Sequence, residues 1–205
     1  MISVLLVDDH KVVRAGLRAI LNLQGDVRVV GEAADGRSAI ALYRELRPDV
    51  VSMDLKLPDM SGWQTTAAIR REFPAARILV FTTLIGDEHV YRAIQAGALG
   101  YVLKEADEKE LIAAIRNTHD GLRTLPVAVQ AALERRLAFD PLSARELDVL
   151  SLVATGLSNR EVGERLGLTE NTVKGYLKSI IGKLDVPDRT AAAMVAVQRG
   201  LINLG

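Results

Sequence analysis

The chain has 205 residues, 49% of them apolar and 25% charged, with 26 Lys and Arg balanced by 26 Asp and Glu. That length allows one large domain or two small ones, each with its own core. The balanced charge points to no nucleic-acid or membrane partner, so such evidence has to come from local clusters. The lack of cysteine excludes disulfides, zinc–thiolate sites and thiol chemistry. No apolar run reaches the ~18–20 residues that span a bilayer, and "MISVLLVDDH" turns acidic too early for a signal peptide. A soluble, cytoplasmic protein with no membrane partner is expected.

The first ~120 residues alternate strand-like and helix-like patterns. Ile2 to Val7 is an apolar run ending in Asp8 and Asp9, and Val13, Leu17, Ile20 and Leu21 then recur on one helical face. "VRVVGEA" predicts a second strand, and "GRSAIALYRELRP" a helix stopped before Pro48. "DVVSMD" predicts a third strand, and "GWQTTAAIRREF" a helix closed by Pro74. "RILVFT" predicts a fourth, followed by the helix "DEHVYRAIQAG" with Gly97 as its stop, and "LGYVLK" predicts a fifth. Asp107 and Glu110 have capping-box spacing at the start of the next helix. Five such βα units imply a parallel sheet with helices on both faces and a ligand site at the carboxyl ends of the strands. Residues 121–140 carry a weaker pattern, with a short amphipathic stretch after Pro126, and read as a linker with a short helix. From Leu142 onward the pattern is helical. Ser143 with Glu146, and Ser158 with Glu161, form capping boxes; Gly156 and Gly167 mark stops; Thr169 is an N-cap; and a last helix runs from about Arg189 to Leu201.

The polar residues of the first part gather where a site belongs. The first strand ends in Asp8 and Asp9, the third in Asp54, the fourth in Thr82 and the fifth in Lys104. Three clustered carboxylates repel one another unless a cation joins them, and Mg²⁺ suits oxygen ligands and phosphate. A carboxylate beside Mg²⁺ is a competent nucleophile toward phosphorus. Lys104 then supplies a point charge for the transferring phosphoryl oxygens, and Thr82 a hydrogen bond. A lone strand-end aspartate is usually a cap or turn residue, but five polar positions at four strand ends are not explained that way. His10, His89 and His119 are scattered, and His10 reads as a polar residue opening the first helix.

"LLVDDH", "VVSMDLKLPDMSG", "ILVFTT" and "AGALGYVLK" resemble the receiver domain of bacterial two-component response regulators over residues 1–120. The resemblance implies a flavodoxin/CheY-like α/β fold, with a five-stranded parallel sheet in the order 2-1-3-4-5. It implies that Asp54 accepts a phosphoryl group from a sensor histidine kinase. Asp9 would bind Mg²⁺ directly and Asp8 mainly through water, with the backbone carbonyl of Lys56 completing the site beside Asp54. Thr82 and Tyr101 would form the switch pair, the hydroxyl moving to the phosphoryl group and the ring turning inward behind it. Lys104 would pair with the phosphoryl oxygens. Glu105 stands where many relatives have a proline, and Lys56 and Leu84 occupy positions that vary in the family and tune hydrolysis of the acyl phosphate.

In "NTVKGYLKSIIGKL", Val173, Leu177, Ile180, Ile181 and Leu184 form a buried stripe, while Asn171, Lys174, Gly175, Lys178 and Gly182 lie opposite. No acid falls between Glu170 and Asp185, so this one face is basic although residues 141–205 hold 8 Lys and Arg against 7 Asp and Glu. Such a helix, after a short helix and a Gly turn, fits helix-turn-helix docking in a major groove. The segment from Leu142 to about residue 200 resembles the LuxR-type helix-turn-helix of the NarL/FixJ subfamily. By that resemblance Lys174, Gly175 and Lys178 face bases, and Thr172, Tyr176 and Lys183 face the phosphate backbone of promoter DNA. Gly175 supplies no side chain for base reading but permits close approach.

The sequence thus predicts a receiver domain over 1–120, a linker over 121–140 and a DNA-binding domain over 141–205. The expected protein is a phosphorylation-dependent transcriptional regulator that pairs as a homodimer when phosphorylated, with RNA polymerase as a further partner. Its own chemistry is limited to phosphorylation at Asp54 and slow loss of that group. Two rivals stand beside it: an Asp-nucleophile, Mg²⁺-dependent phosphatase or phosphotransferase, and a regulator that works without phosphorylation.

Overall fold

The computed structural model describes residues 1–138 and 140–202; the parts of the predicted linker and C-terminal domain at residue 139 and residues 203–205 lie outside the described residues. The chain forms two compact units. One comprises Met1–Ile85 and Val90–Gln130; the other comprises Gly86–His89 and the chain from Ala131 onward.

The first unit contains β1 (Ile2–Val7), α1 (Lys11–Asn22), β2 (Val27–Ala33), α2 (Gly36–Leu46), β3 (Val50–Met53), α3 (Gly62–Glu72), β4 (Ile78–Thr82), all but the first turn of α4 (Asp87–Gln95), β5 (Gly100–Leu103) and α5 (Glu108–His119). All strand pairs are parallel, in the order β2-β1-β3-β4-β5. Alternating strand residues feed opposite faces of the sheet. Val4, Leu6 and Val50 join Leu17 and Leu21 of α1 and Leu111, Ile112 and Ile115 of α5. Leu5, Val7, Val51 and Met53 join Ala39 and Tyr43 of α2 and Ile69 of α3. Both faces are therefore covered, and β3 and β4 are buried along their whole length. This explains why their sequences read as unbroken apolar runs.

Local signals set the helix ends. Asp35 accepts from Ser38 N at the start of α2, Asp107 from Glu110 N at the start of α5, and Ser61 makes a full capping box with Gln64. Gly97 has a φ of 100°, which side-chain-bearing residues rarely adopt, and ends α4 where the sequence placed its stop. Pro48 and Pro74 follow α2 and α3. Each helix ends one residue before the predicted limit, since the residue preceding a proline is disfavoured in helical backbone.

The helix predicted in the linker is α6 (Val127–Ala138), twelve residues long. The second unit continues with α7 (Ala144–Ala154), α8 (Asn159–Leu166), α9 (Glu170–Leu184) and α10 (Arg189–Gln198). Both predicted capping boxes are present, Ser143 with Glu146 and Ser158 with Glu161, and Thr169 caps α9. The final helix stops at Gln198, three residues short of the expected Leu201, because Gly200 takes a φ of 73° and breaks the turn. Val149, Leu150, Val162, Val173, Leu177, Ile180, Leu184 and Ala192 make one core from all four helices. Ile181, predicted in the buried stripe, packs at its margin.

Candidate functional site

Strand pairing assembles the first site. Val7 of β1 lies opposite Met53 of β3, so the next residues, Asp8 and Asp54, emerge side by side. The backbone fixes both: Asp54 N donates to Val7 O at 2.8 Å and Asp8 N to Ala33 O at 3.1 Å. On the other side Thr82 ends β4 opposite Leu103 of β5, and Lys104 N donates to Thr82 O at 3.0 Å. The site sits beside the point where strand order reverses, between β1 and β3, the usual ligand position in such sheets.

Asp54 is 3% exposed and its carboxylate is engaged on both oxygens. Thr82 Oγ1 donates to Oδ1 at 2.7 Å and Lys56 N to the same oxygen at 3.2 Å, while Lys104 Nζ donates to Oδ2 at 2.6 Å. Lys104 Nζ also lies 2.6 Å from Asp8 Oδ2, although that oxygen has no hydrogen bond of good geometry. Burial works against the ammonium, but bonds and charges from Asp54 and Asp8 outweigh it and hold Lys104 above the ordinary lysine range. Behind the site, Tyr101 is fully buried and its hydroxyl donates to Leu84 O. Burial first, and then the charge of Asp54, push its phenol well above the usual tyrosine range. Thr82 and Tyr101 thus stand in the hydroxyl-forward, ring-inward arrangement.

The backbone of the Asp54 loop is held by the start of α3. Gly62 N donates to Leu55 O at 2.9 Å, and a Cβ at Gly62 would lie 2.0 Å from the carbonyl oxygen of Asp54. No side chain fits there, which explains the glycine after Ser61.

Asp8, Asp9, His10 and Asp54 each place a ligand atom within 4.8 Å of the others. Three carboxylates suit Mg²⁺, and the Lys104 ammonium beside Asp54 and Asp8 already offsets part of their charge. Sequence reasoning did not see that His10 belongs here. Its Nδ1 is 2.6 Å from Asp9 Oδ1 and 3.3 Å from Asp8 Oδ1. The available signal was adjacency in "DDH". Among the described residues there is no cis peptide bond, Lys104–Glu105 included.

The second candidate surface is the outer face of α9. Val173, Leu177, Ile180 and Leu184 are buried, while Thr172, Lys174, Gly175 and Lys178 are exposed. Thr172 is tied to the helix start: its N–H donates to Thr169 Oγ1 at 3.1 Å and the two hydroxyls are 2.7 Å apart. Lys174 pairs with Glu170 at 2.8 Å; Lys178 pairs with no acidic side chain among the described residues. Tyr176 is half-buried and packs on the core margin. Lys183 is turned toward α7, with Nζ 2.9 Å from Glu146 Oε2 and 3.2 Å from Pro141 O. Glu146 was legible only as a capping residue. In the structure it is 5% exposed on its side chain and also accepts from Ser179 Oγ at 2.6 Å.

Ser143, Glu146, Thr172, Gly175, Tyr176, Ser179 and Lys183 line a hollow of about 450 Å³. A Cβ at Gly175, or at Gly182, would meet nothing within 4 Å. Each glycine therefore costs helix propensity with no steric return, and Gly175→Ala and Gly182→Ala are each expected to stabilise the helical unit by about 1 kcal/mol. Urea unfolding followed by circular dichroism measures this; an unchanged or lower midpoint would contradict the open surroundings.

Over nearly its whole length the chain is similar to known proteins. Residues 4–116 match the family described as "Response regulator receiver domain", and residues 140–196 match "Bacterial regulatory proteins, luxR family". The chain belongs to the two-component response regulators with a LuxR-type helix-turn-helix, and is a transcriptional regulator. It is 43% identical over 211 residues to the transcriptional regulatory protein LiaR of Bacillus subtilis, covering 99% of this chain and 100% of that protein. It is 39% identical over 206 residues to the response regulator protein VraR of Staphylococcus aureus, covering 98% and 99%. Among solved structures it is similar to RcsB from Salmonella enterica serovar Typhimurium bound to promoter P1flhDC in the presence of the phosphomimetic BeF3-. That match has a TM-score of 0.74 and 28% identity, and covers 96% of this chain and 98% of that one. Among the described residues no helix is long and apolar enough to cross a membrane.

Proposed function

We propose that this protein is a cytoplasmic, phosphorylation-dependent regulator in which Asp54 receives the signal and α9 delivers it to promoter DNA. The observation that carries the reading is the convergence on Asp54 of Thr82 Oγ1 at 2.7 Å and Lys104 Nζ at 2.6 Å. A carboxylate oxygen of Asp54 bonds to phosphorus as the P–N bond of a kinase phosphohistidine breaks, and the imidazole leaves. Mg²⁺ held by Asp8, Asp9, Asp54 and the Lys56 carbonyl would neutralise phosphoryl oxygen charge. Lys104 supplies the second positive charge, and Thr82 donates its hydroxyl proton to a phosphoryl oxygen. Tyr101 fills the space behind Thr82. The protein's own chemistry ends with acyl-phosphate formation and slow hydrolysis.

The domains we assign are a receiver over 1–120, a linker over 121–140 and a DNA-binding domain over 141–205. Lys174, Gly175 and Lys178 face the bases, and Thr172 and Tyr176 the phosphates; Lys183, expected there from the sequence, is instead held by Glu146 and reaches a phosphate only by leaving that pair. One module of this size binds weakly, so phosphorylated chains pair on two half-sites, where a bound dimer meets RNA polymerase. Mapping bound genomic sites with wild type and Asp54→Ala tests the function: the variant should lose occupancy under the inducing condition.

A second reading, regulation without phosphorylation, is favoured by one feature. The Thr82 hydroxyl already touches Asp54 and Tyr101 is already buried. Equal occupancy by wild type and Asp54→Ala would select it.

Lys178→Ala tests the DNA face under either reading. Affinity for a target promoter should fall, and the slope of log affinity against log salt should flatten by about one. Unchanged affinity in a salt-titrated binding assay would mean that another face of α9 meets DNA.

A further inference from the structure

We propose that Glu146 withholds Lys183 from DNA, so that one cation of α9 is neutralised inside the protein and the affinity for DNA is set lower than the helix sequence implies. The inference rests on the reading of α9 as the DNA face.

The lysines of α9 stand in three different states. Lys178 is exposed and pairs with no acidic side chain among the described residues. Lys174 lies 2.8 Å from Glu170, and both side chains are about half exposed. Lys183 Nζ lies 2.9 Å from Glu146 Oε2, on a side chain that is only 5% exposed, and 3.2 Å from Pro141 O. An exposed pair such as Lys174 with Glu170 yields its cation to a phosphate at little cost. A pair with a buried partner resists, because opening it leaves a charge in a poorly hydrated place. Glu146 cannot follow its lysine outward, since Ser143 N at 2.7 Å and Ser179 Oγ at 2.6 Å both hold its carboxylate.

The withheld charge lies where DNA would use it. Lys183 borders the same hollow as Thr172, Gly175 and Tyr176, which belong to the proposed DNA face. The four-carbon stem of a lysine lets its ammonium turn from one partner to another, here from Glu146 to a backbone phosphate. The bond to Glu146 is the largest influence on Lys183 and raises it above the ordinary lysine range, so the side chain is a cation while the pair lasts. A purely structural tie between α7 and α9 predicts no gain in DNA affinity when the Glu146 charge alone is removed.

Glu146→Gln removes that charge and keeps the shape of the side chain, and a capping box accepts Gln as well as Glu at this position. Phosphate contacts are independent of sequence, so a random-sequence DNA duplex is the probe. Full-length wild type, Glu146→Gln, Lys183→Ala and the double variant are titrated with it across a salt series, with Lys178→Ala as the reference. Glu146→Gln should bind about fivefold more tightly than wild type, with a salt slope steeper by about one. Lys183→Ala should change wild-type affinity by less than about twofold, yet abolish the whole gain in the double variant. A gain that survives Lys183→Ala would make Glu146 a general negative charge. No gain would make it a structural tie, and a large loss from Lys183→Ala alone would mean that Lys183 already contacts DNA. Each of these overturns the inference, and the DNA face still stands if Lys178→Ala weakens binding. An unchanged Lys178→Ala overturns that reading as well.

Discussion

Wild-type protein incubated with Mg²⁺ and a small phosphodonor should acquire one acid-stable, hydroxylamine-labile phosphoryl group, and Asp54→Ala should acquire none. The loss is expected to be complete rather than graded. Asp54 is the carboxylate that Thr82 Oγ1, Lys56 N and Lys104 Nζ surround together. Asp8 and Asp9 lie nearby, but Asp8 Oδ1 accepts from His10 N at 2.9 Å and Asp9 Oδ1 lies 2.6 Å from His10 Nδ1. Neither has a hydroxyl and an ammonium placed on opposite oxygens, so neither has the stabilisation that phosphoryl transfer needs. Asp54→Asn keeps the shape and hydrogen-bonding capacity of the side chain but removes its nucleophilic charge, and should be equally unlabelled. Intact-mass measurement decides the matter; a labelled Asp54→Ala, or an unlabelled wild type, would remove Asp54 from its proposed role.

Glu146→Ala is expected to destabilise the helical unit by roughly 2–3 kcal/mol, more than any exposed substitution on α9. The carboxylate accepts from Ser143 N at 2.7 Å, Ser179 Oγ at 2.6 Å and Lys183 Nζ at 2.9 Å. Truncation leaves the first two donors short of a partner and cuts the link from α7 to α9. Lys183, 26% exposed on its side chain, can turn to water, which keeps the cost below that of a fully buried pair. Burial raises the pKa of Glu146, but bonds from Ser179, Ser143 and Lys183 more than reverse this and hold it at about 2, against an ordinary 4.5. A depressed carboxylate stabilises the fold fully above the unfolded value and ceases to do so as pH falls through the folded one. The extra stability should therefore be present above pH 4.5 and decline toward pH 2. Glu146→Gln should lack that part of the acid dependence. Thermal unfolding of both proteins across this range measures it; parallel curves would mean that Glu146 is not held ionised by its partners.

Much of this was legible in the sequence because the determinants are local. The apolar runs of β1, β3, β4 and β5 are strands buried along most of their length, and a polar residue ending such a run has only the sheet edge to occupy. Asp8, Asp54, Thr82 and Lys104 could be placed together for that reason. Ser143 and Glu146 were legible as a cap because three residues of spacing decide it. What could not be read was contact across elements. Lys183 lies on the flank of α9, and helical periodicity predicts an exposed cation; only the packing of α7 against α9 brings Glu146 within 2.9 Å. His10 follows two aspartates, and nothing in spacing says whether its ring turns back toward them or out to water. The structure turns it back toward them, with Nδ1 2.6 Å from Asp9 Oδ1.

The sheet order gives the site an asymmetric lever. Asp54 follows β3, the middle strand of five, whose residues are buried on both faces and bonded on both edges. Close-packed strands of this kind do not yield to one added group. The two residues that can respond by rotating a side chain, Thr82 and Tyr101, both lie on the same flank, in β4 and β5. On the opposite flank β2 ends in Ala33, which has no side chain to reorient. On the proposed reading, a chemical event at the centre of the sheet is passed outward along the β4–β5 edge.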